Sequence, residues 1–218
     1  MTGRNGGSRY IAVEGPIGVG KSSLVRLMAD RLETRPIYET VDENPFLGRF
    51  YRDRRSYAFQ TQIFFLMSRY KQLSELGQID LFNRTAVCDY LFERDLIFAR
   101  LNLDRSEFEL YLELYRLLSA KLPKPNLVVY LQADTPTLMR RIRMRARQQE
   151  STVNDDYIER VNVAFNEYFF SYKGGPLLII NTSNIDFVKN PEDLDTLMAK
   201  VTGEVKGVEF FNPPSSLF

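Results

Sequence analysis

Histidine is missing from this chain of 218 residues and cysteine almost so, and their scarcity excludes several kinds of chemistry. Without histidine, neither acid–base catalysis by an imidazole nor a zinc site with histidine ligands is possible. The one cysteine, Cys88, can form neither a disulfide within the chain nor a cysteine-based metal cluster. A catalytic site in this protein must therefore depend on other side chains.

Long apolar runs and an excess of one charge are also missing. The most apolar stretch, IFFLMSRY, is too short to cross a bilayer, and the opening MTGRNGGSRY lacks the apolar core of a signal peptide. Lys and Arg total 29 against 28 for Asp and Glu, whereas a general nucleic-acid binder carries a basic excess. We therefore expect a cytoplasmic protein that binds neither a membrane nor a nucleic acid.

Short apolar runs alternate with longer stretches of helical periodicity. The runs lack strict apolar–polar alternation, which is typical of parallel strands covered on both faces. This order predicts an α/β fold with a doubly wound parallel sheet. Strands are predicted at 10–14, 36–39, 85–89, 126–132 and 176–181, and helices at 21–33, 57–76, 104–121, 135–148, 154–172 and 191–202. The expected division of the chain is a flexible tail at 1–8, one domain at 9–202 and a C-terminal tail at 203–218.

A phosphate-binding motif joins the first predicted strand to the first helix. Residues 15–22 read GPIGVGKS and match G-x-x-x-x-G-K-[ST] in full. The glycines let backbone amides face phosphate oxygens, and the helix N-terminus adds positive potential. Lys21 would neutralise β/γ-phosphate charge, and the Ser22 hydroxyl would ligate Mg²⁺. The motif predicts a site for ATP or a similar triphosphate, formed by Gly15, Pro16, Ile17, Gly18, Val19, Gly20, Lys21, Ser22 and Ser23.

Five arginines crowd residues 140–147, RRIRMRAR, without an interleaved carboxylate. On a helix, like charges spaced i,i+4 cost stability, and two such pairs occur: Arg141–Arg145 and Arg143–Arg147. The missing counter-ions favour a bound polyanion over a solvated helix face. We expect a lid at about 141–151 that closes over a triphosphate and stabilises its charge. A nucleic-acid groove is the alternative, but the neutral net charge disfavours it.

With these motifs the chain resembles the deoxynucleoside kinase family, P-loop enzymes that phosphorylate the 5′-hydroxyl of deoxynucleosides, and in particular the bacterial deoxyguanosine and deoxyadenosine kinases. The resembling stretches span most of residues 10–195: IAVEGPIGVGKSSL, YETVDENPFLGRFYRD, YAFQTQIFFLMSRYKQL, LPKPNLVVYLQADTPTLMRRIRMRARQQE and DFVKNPEDL. The resemblance implies a five-stranded sheet in the order 2-3-1-4-5, ATP as donor with Mg²⁺, and a homodimer built from long helices. The stretches EFELYLELYRLLSAKL and YAFQTQIFFLMSRYKQL, apolar around much of their circumference, fit either a deep core or such an interface.

The resemblance also implies catalytic and sugar-binding roles. Glu39 would be the general base that accepts the 5′-hydroxyl proton, with Lys21 and the lid arginines 141, 143, 145 and 147 neutralising the transferred phosphate. Asp89, beside the substrate, would help to hold Mg²⁺ or its water shell. Tyr51 and Glu150 correspond to the residues that clamp the 3′-hydroxyl.

Both bases also have candidate contacts. Gln60 corresponds to the glutamine that pairs with the acceptor base, with Gln62 as the competing candidate because the two point to different helix faces. Phe92, with Phe46 and Phe59, could wall the base pocket, although such aromatics are more often core. The loop containing Phe187 and Val188 would contact the ATP adenine.

One position departs from the family pattern. Many members follow the acid at position 89 with an arginine that orients the base and the 5′ end, whereas this chain has Tyr90. Arg84 and Arg94 flank this position, and either could take over the role. The function expected is phosphorylation of a purine deoxynucleoside for nucleotide salvage. Two alternatives stay open: a nucleoside monophosphate kinase, with Arg49, Arg52, Arg54 and Arg55 as anchors, and a non-catalytic nucleotide-binding subunit.

Overall fold

A single parallel β-sheet organises the chain. The computed structural model describes residues 9–79, 85–146 and 153–213, with no side chain described at 77–79. The strand order is β2-β3-β1-β4-β5-β6, and every pairing is parallel. The chain therefore extends the sheet in both directions from β1. The strands are β1 (Arg9–Glu14), β2 (Pro36–Ile37), β3 (Thr85–Cys88), β4 (Leu127–Gln132), β5 (Leu177–Asn181) and β6 (Val208–Phe211).

The expected count of five strands is wrong, because β6 adds a sixth. It pairs with β5 in the register Leu177↔Val208 to Ile180↔Phe211. Val208 and Phe210 stay exposed, so this edge strand lacks the continuous apolar character of the inner strands. These residues belong to the sheet, although their stretch was expected to be a C-terminal tail.

Helices connect the strands, and most end within a few residues of the predicted limits. Two short helices, Leu47–Arg52 and Arg94–Asn102, were not predicted, and the helix predicted at 57–76 extends over Arg54–Ile79. A 3₁₀ turn, Val41–Glu43, follows β2. The helices are α1 (Lys21–Arg31), α2 (Leu47–Arg52), α3 (Arg54–Ile79), α4 (Arg94–Asn102), α5 (Arg105–Ser119), α6 (Thr135–Arg145), α7 (Asp155–Phe170) and α8 (Pro191–Thr202).

Local side-chain caps set the start of several helices. Asp104 and Glu107 form a reciprocal capping box at α5, which satisfies two backbone N–H groups. Asp134 accepts from the Thr137 N–H at 2.7 Å and fixes the start of α6. The arginine-rich helix thus begins at a defined residue directly after β4.

The core lies around the central strands. Ile11 and Val13 of β1 are fully buried, as is Tyr130 of β4. The Tyr130 ring stacks on Phe169 of α7 with 4.2 Å between centroids. Within the described residues, no helix is both long and apolar enough to cross a membrane.

Candidate active site

A cavity of about 550 Å³ opens at the carboxyl ends of the strands. The segments after β1, β2, β3 and β5 contribute to its wall, together with side chains of α2, α3, α4, α6 and α7. In a doubly wound sheet, ligands bind at this edge, where the strand order changes direction. The cavity therefore lies where the fold class places a binding site.

The phosphate loop forms one end of the cavity. A Cβ on Gly15 (φ 150°) would lie 2.5 Å from the Leu131 carbonyl oxygen, and one on Gly18 (φ 86°) would lie 2.7 Å from that of Leu138. Because no side chain fits there, these glycines let the loop lie directly against β4 and α6. Val19 is fully buried in the core, and neither it nor Pro16 is among the described wall residues. The loop residues in the wall are Gly15, Ile17, Gly18, Gly20, Lys21, Ser22 and Ser23.

The Lys21 ammonium lies over the loop, where its Nζ donates to the carbonyl oxygens of Gly15 (2.7 Å) and Pro16 (2.9 Å). Burial, and then the positive charge of Arg94, lower the pKa of Lys21 from 10.5 to about 7, against the opposite pull of nearby carboxylates. A bound phosphate would favour the charged form. The site is therefore suited to an anionic ligand.

Asp89 connects the phosphate loop, at one end of the cavity, to Glu39, which follows β2. Its Oδ2 accepts from the Ser22 hydroxyl at 2.7 Å, and its Oδ1 accepts from the Glu39 backbone N–H at 2.8 Å. A hydroxyl and a carboxylate this close are the oxygen ligands that Mg²⁺ takes alongside substrate phosphates. Among the described residues, no group of three or more acidic, histidine or cysteine side chains could hold a metal by itself. The donor set fits a magnesium ion carried largely by a nucleotide.

Glu39 lies between two arginines that are each only 4% exposed. Arg94 Nη1 donates to Glu39 Oε2 at 2.8 Å, and Arg69 Nη2 donates to Oε1. Burial alone would raise the pKa of Glu39, but the two guanidinium groups lower it from 4.5 to about 2. Glu39 is thus a carboxylate at every physiological pH, held in the wall of the cavity.

Each of these arginines also pairs with a second buried acid. Arg69 Nη1 donates to Asp95, and Arg94 Nε lies 3.0 Å from Glu14 Oε1. Burial raises the pKa of Asp95 to about 7, although the charge of Arg69 opposes the shift. The five side chains form one network of alternating charge beneath the cavity.

Aromatic side chains and one glutamine carboxamide line the other end of the cavity. Gln62 is 3% exposed and lines the wall, whereas Gln60 is exposed and does not. Side chains two positions apart on a helix point to nearly opposite sides, so only one of the two glutamines can face the cavity. The structure therefore corrects the choice of Gln60 in favour of Gln62. The aromatic residues on this side are Phe50, Tyr51, Phe65, Phe98 and Tyr157.

Phe92 belongs to the core. Its ring is 5% exposed and stacks on Tyr115 of α5 with 5.1 Å between centroids. Neither Phe92 nor the other two candidates, Phe46 and Phe59, is among the described wall residues. Tyr51 does line the cavity, with its ring 6.4 Å from that of Tyr157.

The predicted lid arginines have different surroundings. Arg141 donates to the carbonyl oxygens of Val19 (3.2 Å) and Thr182 (2.8 Å), so it ties the phosphate loop to the segment after β5. Arg143 was expected to contact the triphosphate, but it lies outside the cavity. It pairs with Asp155 on the surface at 3.3 Å. Arg145 lines the cavity. The positions of Arg147 and Glu150 lie outside the described residues.

The segment after β5 closes the phosphate end. Phe187 and Val188 both line the cavity, Phe187 almost fully buried and Val188 half exposed. A Cβ on Gly20 would lie 3.1 Å from the Phe187 ring, so the ring packs closely on the start of α1. The two residues are therefore beside the phosphate loop.

Comparison with known proteins decides the family: the family model for deoxynucleoside kinase matches residues 11–206. The chain belongs to the deoxynucleoside kinase family. It is 34% identical over 197 residues to a deoxyguanosine kinase of Bacillus subtilis. The matched region covers 88% of this chain and 95% of that protein. It is 32% identical over 196 residues to a deoxyadenosine kinase of Lactobacillus acidophilus, covering 84% and 89% respectively.

A solved structure supports the same assignment. Deoxyadenosine kinase from M. mycoides, with products dCMP and a flexible dCDP bound, superposes with a TM-score of 0.77 at 27% identity. The match covers 88% of this chain and 98% of that chain. The protein is therefore a kinase.

The departure from the family pattern at Tyr90 has a structural counterpart. Tyr90 is buried and donates its hydroxyl to Gln72 Oε1 at 2.7 Å, and its ring lies 5.7 Å from the Arg69 guanidinium. Arg94, at the start of α4, instead brings a positive charge to Glu39. Arg84 lies outside the described residues. Of the two candidates for the missing arginine, Arg94 is thus the one that the described residues place in the cavity wall beside Glu39.

Several residues of this kinase site escaped sequence reasoning. Glu14, Arg69 and Asp95 were not singled out, and Arg94 was only one of two alternatives. A signal did exist, because Arg69 stands in the most apolar stretch of the chain, IFFLMSRY, and Glu14 ends the apolar run IAVE. Charged residues are almost never fully buried unless they are paired.

Proposed function

We propose that the protein transfers the γ-phosphate of ATP, with Mg²⁺, to the 5′-hydroxyl of a purine deoxynucleoside. The observation that carries the proposal is the shared cavity of the phosphate loop and the Glu39 carboxylate. Asp89 connects the two through its bonds to Ser22 and to the Glu39 backbone. A donor phosphate on the loop and an acceptor hydroxyl at Glu39 would thus meet in one enclosed space.

On the donor side, backbone amides of the loop and the Lys21 ammonium would bind the phosphates. Ser22 and Asp89 would hold Mg²⁺, which would neutralise charge on the donor phosphates. Arg145, in the cavity wall, would stabilise charge on the transferred phosphoryl group. Further donor contacts would come from Phe187 and Val188 at the adenine and from Arg147 in the lid.

On the acceptor side, Glu39 would orient the 5′-hydroxyl and accept its proton. With a pKa of about 2 the carboxylate is always ionised but only weakly basic. This suits phosphoryl transfer through a loose transition state, in which positioning contributes more than proton abstraction. Gln62 would pair with the base, since a carboxamide offers a donor and an acceptor side by side. Tyr51 and Glu150 would hold the 3′-hydroxyl.

The monophosphate-kinase alternative receives no support from the cavity. That reaction needs cations in the acceptor half to hold a second phosphate. Of the arginines proposed for that role, 49, 52, 54 and 55, none is among the described wall residues. Arg69 and Arg94 do line the cavity, but each is already paired with two carboxylates. An uncharged acceptor therefore fits the cavity better.

The proposal includes a cytoplasmic homodimer. Leu110, Leu114 and Leu117 of α5 are exposed at spacings that place them along one side of the helix. An exposed apolar stripe of this kind marks an association surface in many proteins. Sedimentation of the purified protein would test the assembly.

Mg²⁺-dependent phosphate transfer from ATP to a panel of nucleosides and monophosphates tests the reaction. We expect purine deoxynucleosides to accept phosphate and Glu39→Gln to lose at least about a hundredfold in kcat. Glu43→Gln, an exposed acid four residues along, is the matched control and should keep full activity. Transfer only to monophosphates would overturn the acceptor assignment. ATP binding without turnover of any acceptor would favour a binding subunit.

A further inference from the structure

Glu14, the last residue of β1, is a fully buried acid outside the described wall of the cavity. Its Oε2 accepts from the Gly15 N–H at 2.8 Å, and its Oε1 accepts from the Leu91 N–H at 2.7 Å. Its Oε1 also lies 3.0 Å from Arg94 Nε. One carboxylate thus links the phosphate loop, the segment after β3 and the start of α4.

Arg94 needs such an anchor for two physical reasons. It is buried, and it stands at the first residue of α4, where the helix dipole disfavours a positive charge. Its guanidinium is a rigid planar fork, so an ion pair that holds Nε 3.0 Å from Glu14, without a hydrogen bond, limits the direction in which Nη1 meets Glu39. Glu14 can therefore determine where the charge of Arg94 lies in the cavity.

Tyr90, the residue after Asp89, supplies no cation to Glu39. The side chain next to Asp89 is uncharged and bonds to Gln72, so one of the two cations on Glu39 must come from the start of α4. Leu91, the neighbour of Tyr90, donates its N–H to Glu14 as well. The same carboxylate fixes the connecting segment and the arginine that follows it.

We propose that Glu14 is a positioning residue for phosphoryl transfer, which acts through Arg94 on Glu39 and links the acceptor side to the phosphate loop. This inference rests on the proposed function. Glu14 itself would not touch the substrate, because it lies outside the described wall of the cavity. Its removal is expected to lower kcat because the Arg94 guanidinium loses its orientation.

A double-mutant cycle separates positioning from a general structural role. We expect Glu14→Gln to lower kcat about ten- to a hundredfold, the range that a small misplacement of a reacting group costs. In an Arg94→Met background the same change should alter kcat less than about twofold, because the arginine it positions is gone. The control Glu109→Gln removes an exposed acid paired with Arg105 and should leave kcat unchanged.

A purely structural role of Glu14 predicts different changes in kcat and in the KM for ATP. If Glu14 only supports the phosphate loop through Gly15, its replacement should raise the KM for ATP and lower kcat equally in both backgrounds. That result would overturn the inference while leaving the kinase reaction established. An inactive wild-type chain would refute the proposed function and this inference together.

A second variant covers the case in which Glu14→Gln does not fold. Arg94→Lys keeps the charge but has one nitrogen, which cannot donate to Glu39 and at the same time place a second nitrogen against Glu14 as the guanidinium fork does. We expect this variant to fold, as judged by its Tm, and to lose about tenfold or more in kcat. Full activity of Arg94→Lys would show that a fixed two-sided contact is unnecessary.

Discussion

Replacing Glu39 with glutamine should destabilise the fold as well as stop catalysis. Burial alone would raise the pKa of Glu39, but Arg69 and Arg94 lower it from 4.5 to about 2. A shift of this size means that folding stabilises the carboxylate relative to the neutral acid by about 3 kcal/mol, compared with the unfolded chain. Each arginine keeps a second acid, so the loss stays below the roughly 3–5 kcal/mol of a buried charge left wholly unpaired. We expect about 2–3 kcal/mol.

Thermal unfolding of the two proteins at pH 7.5 measures this loss. For a domain of this size, 2–3 kcal/mol corresponds to a Tm lower by about 5–10 °C. Because the pKa of Glu39 is depressed on folding, its contribution is present above about pH 4.5 and disappears as the pH falls toward 2. The difference in free energy of unfolding should therefore narrow below pH 4.5.

A control and a refuting result complete the test. Glu43→Gln, at an exposed position, should change the free energy of unfolding by less than about 0.5 kcal/mol. A Glu39→Gln protein with an unchanged or higher Tm would refute the view that two buried guanidinium groups stabilise an ionised carboxylate there. Kinase assays of the variant must then be run well below its own Tm, so that lost activity is not unfolding.

Two further predictions concern the two halves of the cavity. If the buried Gln62 amide pairs with the base as proposed, Gln62→Ala should raise the KM for the deoxynucleoside by about tenfold or more and leave the KM for ATP unchanged. Gln60→Ala, on the exposed face, should change neither KM, and equal effects of the two variants would contradict the proposed role of Gln62. ATP affinity should fall from pH 7 to pH 9, because Lys21 has its pKa lowered from 10.5 to about 7 and must take up a proton to bind phosphates. Calorimetry in two buffers at pH 8 should detect this uptake in wild type and none in Lys21→Met, and its absence in wild type would refute the reasoning.

Local sequence motifs correctly predicted the strand, loop and helix at the end of the cavity where phosphates are proposed to bind. The loop, the strand before it and the helix after it are consecutive in the chain, so a pattern of glycines with Lys21 and Ser22 defines all three. The alternation of strands and helices likewise gave the sheet class. The edge strand β6 was missed because a short strand with two exposed residues carries a weak pattern.

The acceptor end depended on contacts between distant parts of the chain. Periodicity placed Gln60 and Gln62 on one helix but could not say which side of α3 faces the cavity, because the packing of α3 against neighbouring helices decides it. Phe92 joined the core because α5 brings Tyr115 against its ring. No local rule foresees a contact between residues more than twenty positions apart.

The buried charge network follows from the burial of one carboxylate. A desolvated Glu39 stays ionised only because cations lie within hydrogen-bonding distance, and Arg69 and Arg94 supply them. Two buried guanidinium groups on one carboxylate would leave an excess positive charge, so each requires a further acid, which Asp95 and Glu14 provide. Acids and arginines therefore alternate from β1 to α4, because Glu39 can stay both buried and ionised beside the phosphate loop only with such partners.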